Sequence, residues 1–300
     1  MTIVVYLIIL FASITAGTLF AFLPIDFSTI YMNAVLMLVM FVLYIVIFIG
    51  FSKFNNRVTG REIFTYYNIK KPSLVNTSLL VLLGFICIVT FILTQEGAIQ
   101  IFKIFGYELP ESTLAMNHFG HYVMMVFALA VIPAIWEELI FRGLILQGLQ
   151  KYGAVTAVIV SSLLFSLIHL SPAQTIYQFF FGAICAIVYL RTKNLTYPII
   201  LHFVNNFLIV TYTYITRGMA DEYITWNATT IIAAVILLIV GIAVIIGVMK
   251  LLRKFNTSSS ERAQERQKDL RQSFIPSHDF KALFVAIILS IIIWSWAFVV

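Results

Sequence analysis

An all-α polytopic transmembrane bundle of about nine spans is the fold class this 300-residue chain predicts, on three observations. Hydrophobic residues make up 61% of it and charged residues 11%, and mean hydropathy is +1.00, values outside the range of a soluble domain of this length. Apolar runs long enough to cross roughly 30 Å of hydrocarbon recur along the chain. Its cations, finally, cluster in alternate connections between those runs, as they do where loops sort by side of a membrane.

The runs cover residues 3–23, 30–52, 75–95, 121–147, 154–170, 174–190, 197–216, 229–250 and 282–300. The first lacks a basic leading segment and exceeds the apolar core of a signal peptide, so it counts as a span. Lys53, Arg57, Arg61, Lys70 and Lys71 follow the second run, Lys151 the fourth, and Arg191 and Lys193 the sixth. Eight more, from Lys250 to Lys281, follow the eighth, so 16 of the 19 Lys and Arg lie on one side. That asymmetry predicts a cytoplasmic N-terminus and an external C-terminus. The net charge of +6 is explained by the same asymmetry, and nucleic-acid binding is excluded.

Four regions follow. Residues 1–72 hold two N-terminal spans and a basic linker, and 73–119 a third span with an outer segment, where 97–120 reads as a short interfacial helix. Residues 120–216 form a core of four helices, and 217–300 carry C-terminal helices around a charged linker at 254–281. That linker opens with Ser258 and Glu261, a capping-box pattern. Cys87 and Cys185 fall inside spans and read as small buried hydrophobes. His118 and His121, the tryptophans Trp294 and Trp296, and the sequon Asn227-Ala228-Thr229 read as surface or interface features.

The chemistry concentrates in the core. Pro133 to Gly143 reads Pro-Ala-Ile-Trp-Glu-Glu-Leu-Ile-Phe-Arg-Gly, placing Glu137, Glu138 and Arg142 deep in an apolar run, where unpaired ions cost several kcal/mol each. On a helix Glu138 and Arg142 lie one turn apart with the acid first, the favourable order for an ion pair. Glu137 then projects about 100° away, free to face a cavity. The fifth run ends at Phe165-Ser166-Leu167-Ile168-His169, and the seventh carries His202 and Asn206 on one face. A carboxylate, two imidazoles and a carboxamide on separate helices can activate water: Glu137 as general base, His169 sharing that role or holding the water, His202 and Asn206 as oxyanion donors.

These residues resemble the CAAX prenyl protease and bacteriocin-processing (CPBP, or Abi) family of membrane proteases. The family pattern is Glu-Glu-x-x-x-Arg, then Phe-x-x-x-His, then His-x-x-x-Asn or Asp; here Glu137, Glu138 and Arg142, then Phe165 and His169, then His202 and Asn206 match it, over about residues 120–216. The resemblance implies endoproteolysis of a membrane-bound peptide or lipoprotein, prenylated or an exported precursor, with Glu137 as water-activating base and Glu138, Arg142 and Phe165 as support. It also carries the label metalloprotease. No His-Glu-x-x-His motif is present, so no obligatory cofactor is expected; zinc, if held, would take Glu137, His169 and His202. The short loops fit a bacterial cell membrane. Two rival readings are an inactive scaffold of the same fold that regulates a partner and a proton-coupled transporter.

Depth sets a condition on this site. At ~1.5 Å per residue, Glu137 lies about 15 Å and His169 about 22 Å from the inner ends of their spans, but His202 only about 8 Å from the start of its own. Either the connection from Arg191 to Pro198 dips into a cavity or the fourth and fifth spans protrude. The catalytic reading requires His202 within ~8 Å of Glu137, the gap one water can serve.

Overall fold

The structure, a computed structural model, describes residues 42, 68–108, 116–216, 226–254 and 279–296. The first two predicted spans and the charged linker with Ser258 and Glu261 lie outside the described residues. Seven helices follow in order: α1 Leu74–Ile104, α2 Phe119–Tyr152, α3 Ala154–Leu167, α4 Pro172–Thr192, α5 Thr196–Thr216, α6 Ala228–Lys254 and α7 Asp279–Trp296. No strand occurs among the described residues, and the fold is the all-α polytopic bundle expected. Five of these helices are long and apolar enough to cross a membrane, with α3 shorter at 14 residues.

Helix α1 starts where Pro72 ends the preceding extended segment and the Ser73 hydroxyl accepts from the Asn76 amide at 3.2 Å, a side-chain N-cap. It runs 31 residues without a break, through the 97–104 stretch expected to be a separate interfacial helix. No proline interrupts that stretch, and the chain turns only at Gly106, whose φ of 88° suits glycine. Helix α1 packs against α4, α5 and α6, and the main core gathers around Leu80, Leu83 and Cys87 of α1, Phe165 of α3, Phe181 and Tyr189 of α4 and Leu201 of α5. Two of its crossings depend on glycine. A Cβ on Gly241 of α6 would lie 2.1 Å from Thr90 Oγ1, and one on Gly84 2.8 Å from Val204 Cγ1.

Helix α6 is capped reciprocally by Asn227, whose carboxamide accepts from the Thr230 amide at 3.0 Å while the Thr230 hydroxyl accepts from the Asn227 amide at 2.8 Å. The asparagine of the sequon therefore has a structural task of its own.

The connection from α4 to α5 is buried. Lys193 turns the chain in the left-handed region, with φ of 49°, and Asn194 then clamps residue 70 from both sides: its oxygen accepts from the Lys70 amide at 3.0 Å and its nitrogen donates to the Lys70 carbonyl at 3.1 Å. Leu195 donates to the Asn68 carbonyl at 3.1 Å and the Thr196 hydroxyl to that of Lys70 at 2.8 Å. The Tyr197 hydroxyl accepts from the Ser73 amide and from the Asn76 side chain, each at 3.1 Å. The segment preceding α1 thus roofs the turn, and α5 starts beneath a layer of protein.

Candidate active site

Helix α2 carries the first three candidate residues, and its geometry is set by Pro133. Proline has no N–H and its ring crowds the carbonyl four residues back, here Leu129. The helix widens into a π segment over Val126–Val131, just before the proline, and into a second over Phe141–Leu146. Such widenings recur at functional positions because they rotate the following residues relative to a regular helix. Between the two lies the α-helical stretch Ile132–Ile140 that holds Glu137 and Glu138.

Glu138 and Arg142 form the expected pair. Arg142 Nη1 donates to Glu138 Oε1 at 2.6 Å, with side-chain exposures of 1% and 0%, so the pair is sealed from solvent. Arg142 Nη2 donates to the Gly182 carbonyl of α4 at 2.8 Å, and the guanidinium lies 4.5 Å from the centre of the Phe165 ring. A cation over an aromatic face is attracted to the ring's negative surface, more strongly where water is excluded. A Cβ at Gly182 would stand 3.1 Å from Phe165 Cδ1, so the ring would have to give by a few tenths of an ångström to admit one.

The same Glu138 Oε1 accepts a second hydrogen bond, from His202 Nδ1 of α5 at 2.9 Å. With Glu138 Oε1 as the acceptor, His202 donates through Nδ1 and its Nε2 is the edge left for chemistry. That edge faces Glu137: His202 Nε2 lies 3.9 Å from Glu137 Oε2. Glu137 keeps 17% of its side chain exposed, and its Oε2 makes no hydrogen bond to protein. The imidazole is further fixed by the edges of two rings, Phe165 at 5.7 Å and Phe181 at 5.6 Å between centroids.

The structure thus meets the ~8 Å condition on His202, and two features account for it. The α4–α5 connection is covered by residues 68–70, and α2, at 34 residues, exceeds what a bilayer requires.

His169 sits beyond the end of α3, in the turn that leads to α4. Its Nδ1 donates to the Phe165 carbonyl at 2.8 Å, which leaves Nε2 as its free edge, and it is within electrostatic reach of Glu137, His202 and Arg142. The next residue, Leu170, has φ of 51°, a left-handed conformation unusual for leucine, and the turn is secured from the other side by Thr175, whose hydroxyl donates to the Ser171 carbonyl at 2.8 Å. A helix of 14 residues spans only about 21 Å, so this turn falls short of full membrane thickness. Irregular backbone at such depth is tolerated where it is buried in protein or lines a cavity.

Asn206 is placed differently from the expectation. Rather than presenting its amide beside Glu137, it donates through Nδ2 to the Leu129 carbonyl at 2.9 Å, four residues before Pro133, where a regular helix would place the N–H that proline lacks, and its oxygen accepts from Asn205 Nδ2 at 3.2 Å. Asn205 is fully buried and its own oxygen accepts from the Tyr177 hydroxyl. Sequence reasoning passed over Asn205, Tyr177 and Gly182. The only signals were a second polar residue beside Asn206 and single polar or small residues within an aromatic helix.

Among the described residues no group of three His, Cys, Asp or Glu side chains is arranged to hold an ion.

Residues 119–208 match the family model described as "Rce1-like: Type II CAAX prenyl endopeptidase Rce1-like". That segment contains all of α2, α3 and α4, most of α5 and every residue of the site. Neither curated proteins nor solved structures gave a significant match. The match, together with the three motif boxes, supports a CPBP/CAAX protease reading of this segment, which is similar to that family.

Proposed function

We propose that the protein is an intramembrane endopeptidase that cleaves a peptide bond in a membrane-associated peptide, prenylated or an exported precursor, by means of water activated at Glu137. The observation that carries this reading is the pairing of Glu137 Oε2 with His202 Nε2 at 3.9 Å, while Glu138 holds the opposite edge of the same imidazole. A water placed about 2.8 Å from both atoms would donate to each. Glu137 takes its first proton as the oxygen attacks the scissile carbonyl, and returns that proton to the leaving nitrogen as the C–N bond breaks. The second proton, shed by the new carboxylic acid, passes through His202 Nε2 to the departing amine. While it holds that proton His202 is an imidazolium, and Glu138 beneath it stabilises that charge. His169, within electrostatic reach of Glu137 and His202, keeps Nε2 available to position the water or the substrate carbonyl. No step passes through a metal.

The family match supports protease chemistry in general, and the membrane-spanning helices support a substrate that reaches the site from the bilayer. We place the protein in a bacterial cell membrane with its N-terminus cytoplasmic, on the distribution of its Lys and Arg. The test is incubation of purified protein with farnesylated and unmodified peptides, product analysis by mass spectrometry, and the Glu137→Ala protein as control. Cleavage by the parent protein alone is expected. If neither protein cleaves any peptide, a regulatory scaffold becomes the better reading; if substrate flux persists in vesicles without cleavage, a transporter does.

A further inference from the structure

Taking Glu137 as the base proposed above, we infer that Asn206 is a positioning residue, the last link of a hydrogen-bonded relay from Tyr177 through Asn205 that holds the proline-widened turn of α2 and so sets Glu137 against His202. The direction of every bond follows from one fixed point. The Leu129 carbonyl can only accept, so Asn206 must present Nδ2 to it, at 2.9 Å. Asn206 is thereby left with its oxygen toward Asn205, whose Nδ2 donates at 3.2 Å; Asn205 then offers its own oxygen, and the Tyr177 hydroxyl donates to it. The relay joins α4, α5 and α2. Tyr177 and Asn205, at 6% and 0% exposure, are shielded from the water that would compete for these bonds.

Leu129 is four residues before Pro133, the position whose helical donor a proline removes. It also lies in the widened segment Val126–Val131, which ends one residue before the Ile132–Ile140 stretch bearing Glu137. An unmet carbonyl at that depth is costly, and supplying its donor from α5 fastens α2 to the helix that also carries His202. One helix face therefore places both members of the Glu137–His202 pair: His202 directly, Glu137 through Asn206 and Leu129.

The test is a double-mutant cycle between Pro133 and Asn206. Pro133→Ala restores an N–H for the Leu129 carbonyl, and Pro133→Ser does the same should the alanine protein prove poorly folded. Cleavage of a fluorogenic farnesylated peptide in detergent, with kcat and KM resolved, is measured for the parent, both single variants and the double variant, and each is also melted in detergent. The relay predicts that Asn206→Ala lowers kcat at least 10-fold with KM changed less than twofold, and lowers the melting temperature. In the Pro133→Ala background the same substitution changes kcat less than threefold and leaves the melting temperature unmoved. Equal losses in the two backgrounds would overturn the relay and return Asn206 to direct contact with the oxyanion. If no peptide is cleaved by any form, the proposed function fails, and the melting cycle still decides whether Asn206 serves the Leu129 carbonyl.

Discussion

Replacing both members of the sealed ion pair by leucine separates what Glu138 does for the fold from what it does for the site. Glu138→Leu alone strands the Arg142 guanidinium at 1% exposure with one carbonyl at 2.8 Å and the Phe165 face at 4.5 Å as its remaining partners. Breaking a buried pair from one side costs about 3–5 kcal/mol. The two contacts that survive favour the lower end, about 3 kcal/mol, or roughly a hundredfold in the folding equilibrium. Removing the arginine as well takes the uncompensated charge away, and well-packed apolar replacements of buried pairs are often neutral or stabilising. The double leucine protein should therefore unfold in a denaturing-detergent titration closer to the parent than Glu138→Leu does. It should still be inactive, because His202 has lost the acceptor that fixes its Nδ1 and leaves Nε2 toward Glu137. A double variant no more stable than Glu138→Leu would refute the energetic reasoning; one that cleaves peptide at the parent rate would refute the role given to Glu138.

Further outcomes follow from the same geometry. Glu137→Gln keeps the shape of the side chain and removes the base, so cleavage should fall by about 10²–10⁴ while the melting temperature is unchanged. Gly182→Ala forces Phe165 aside from 3.1 Å, and with it the ring that borders Arg142, His169 and His202; a cost of about 1–3 kcal/mol with reduced kcat is expected from melting and kinetics. Gly241→Ala would set a methyl group 2.1 Å from Thr90 Oγ1 and should lower stability by at least that much, with partial recovery on adding Thr90→Gly. Asn194→Ala removes the two bonds to Lys70 and the one to the Thr196 amide at 3.1 Å; at about 1 kcal/mol each, roughly 3 kcal/mol should be lost on unfolding.

What could be read in advance was local. Composition and run length gave the helical membrane bundle, and i,i+4 spacing gave the Glu138–Arg142 bond, because both depend only on neighbours along one helix. That Glu137 would be left out of that bond was legible for the same reason. The meeting of Glu137 with His202 was visible as a pattern, yet counting residues from span ends argued against it. Counting assumed straight helices starting at one level, whereas the turn before α5 is roofed by residues 68–70 and α2 is interrupted by two π segments. The outer stretch after residue 95 looked like a separate helix because it mixes polar and apolar residues, but nothing in it stops a helix before Gly106. Asn206 was recognised as polar in an apolar helix. Its partner was hidden, since a proline one helix away created the need it meets.

The clamp of Asn194 on residue 70 also carries a consequence for how the chain is made. Its two halves are 124 residues apart in sequence. At the ~5–20 residues per second of synthesis, about 6–25 s pass between the appearance of the α1 start and of the turn that completes it. During that interval the amide and carbonyl of Lys70 must be satisfied by water or a transient partner, so the segment leading into α1 has to remain at a hydrated surface until α5 arrives. A chain halted within α4 would present that unsealed end as a marker of incomplete assembly, and quality control that recognises exposed polar backbone would find it there first.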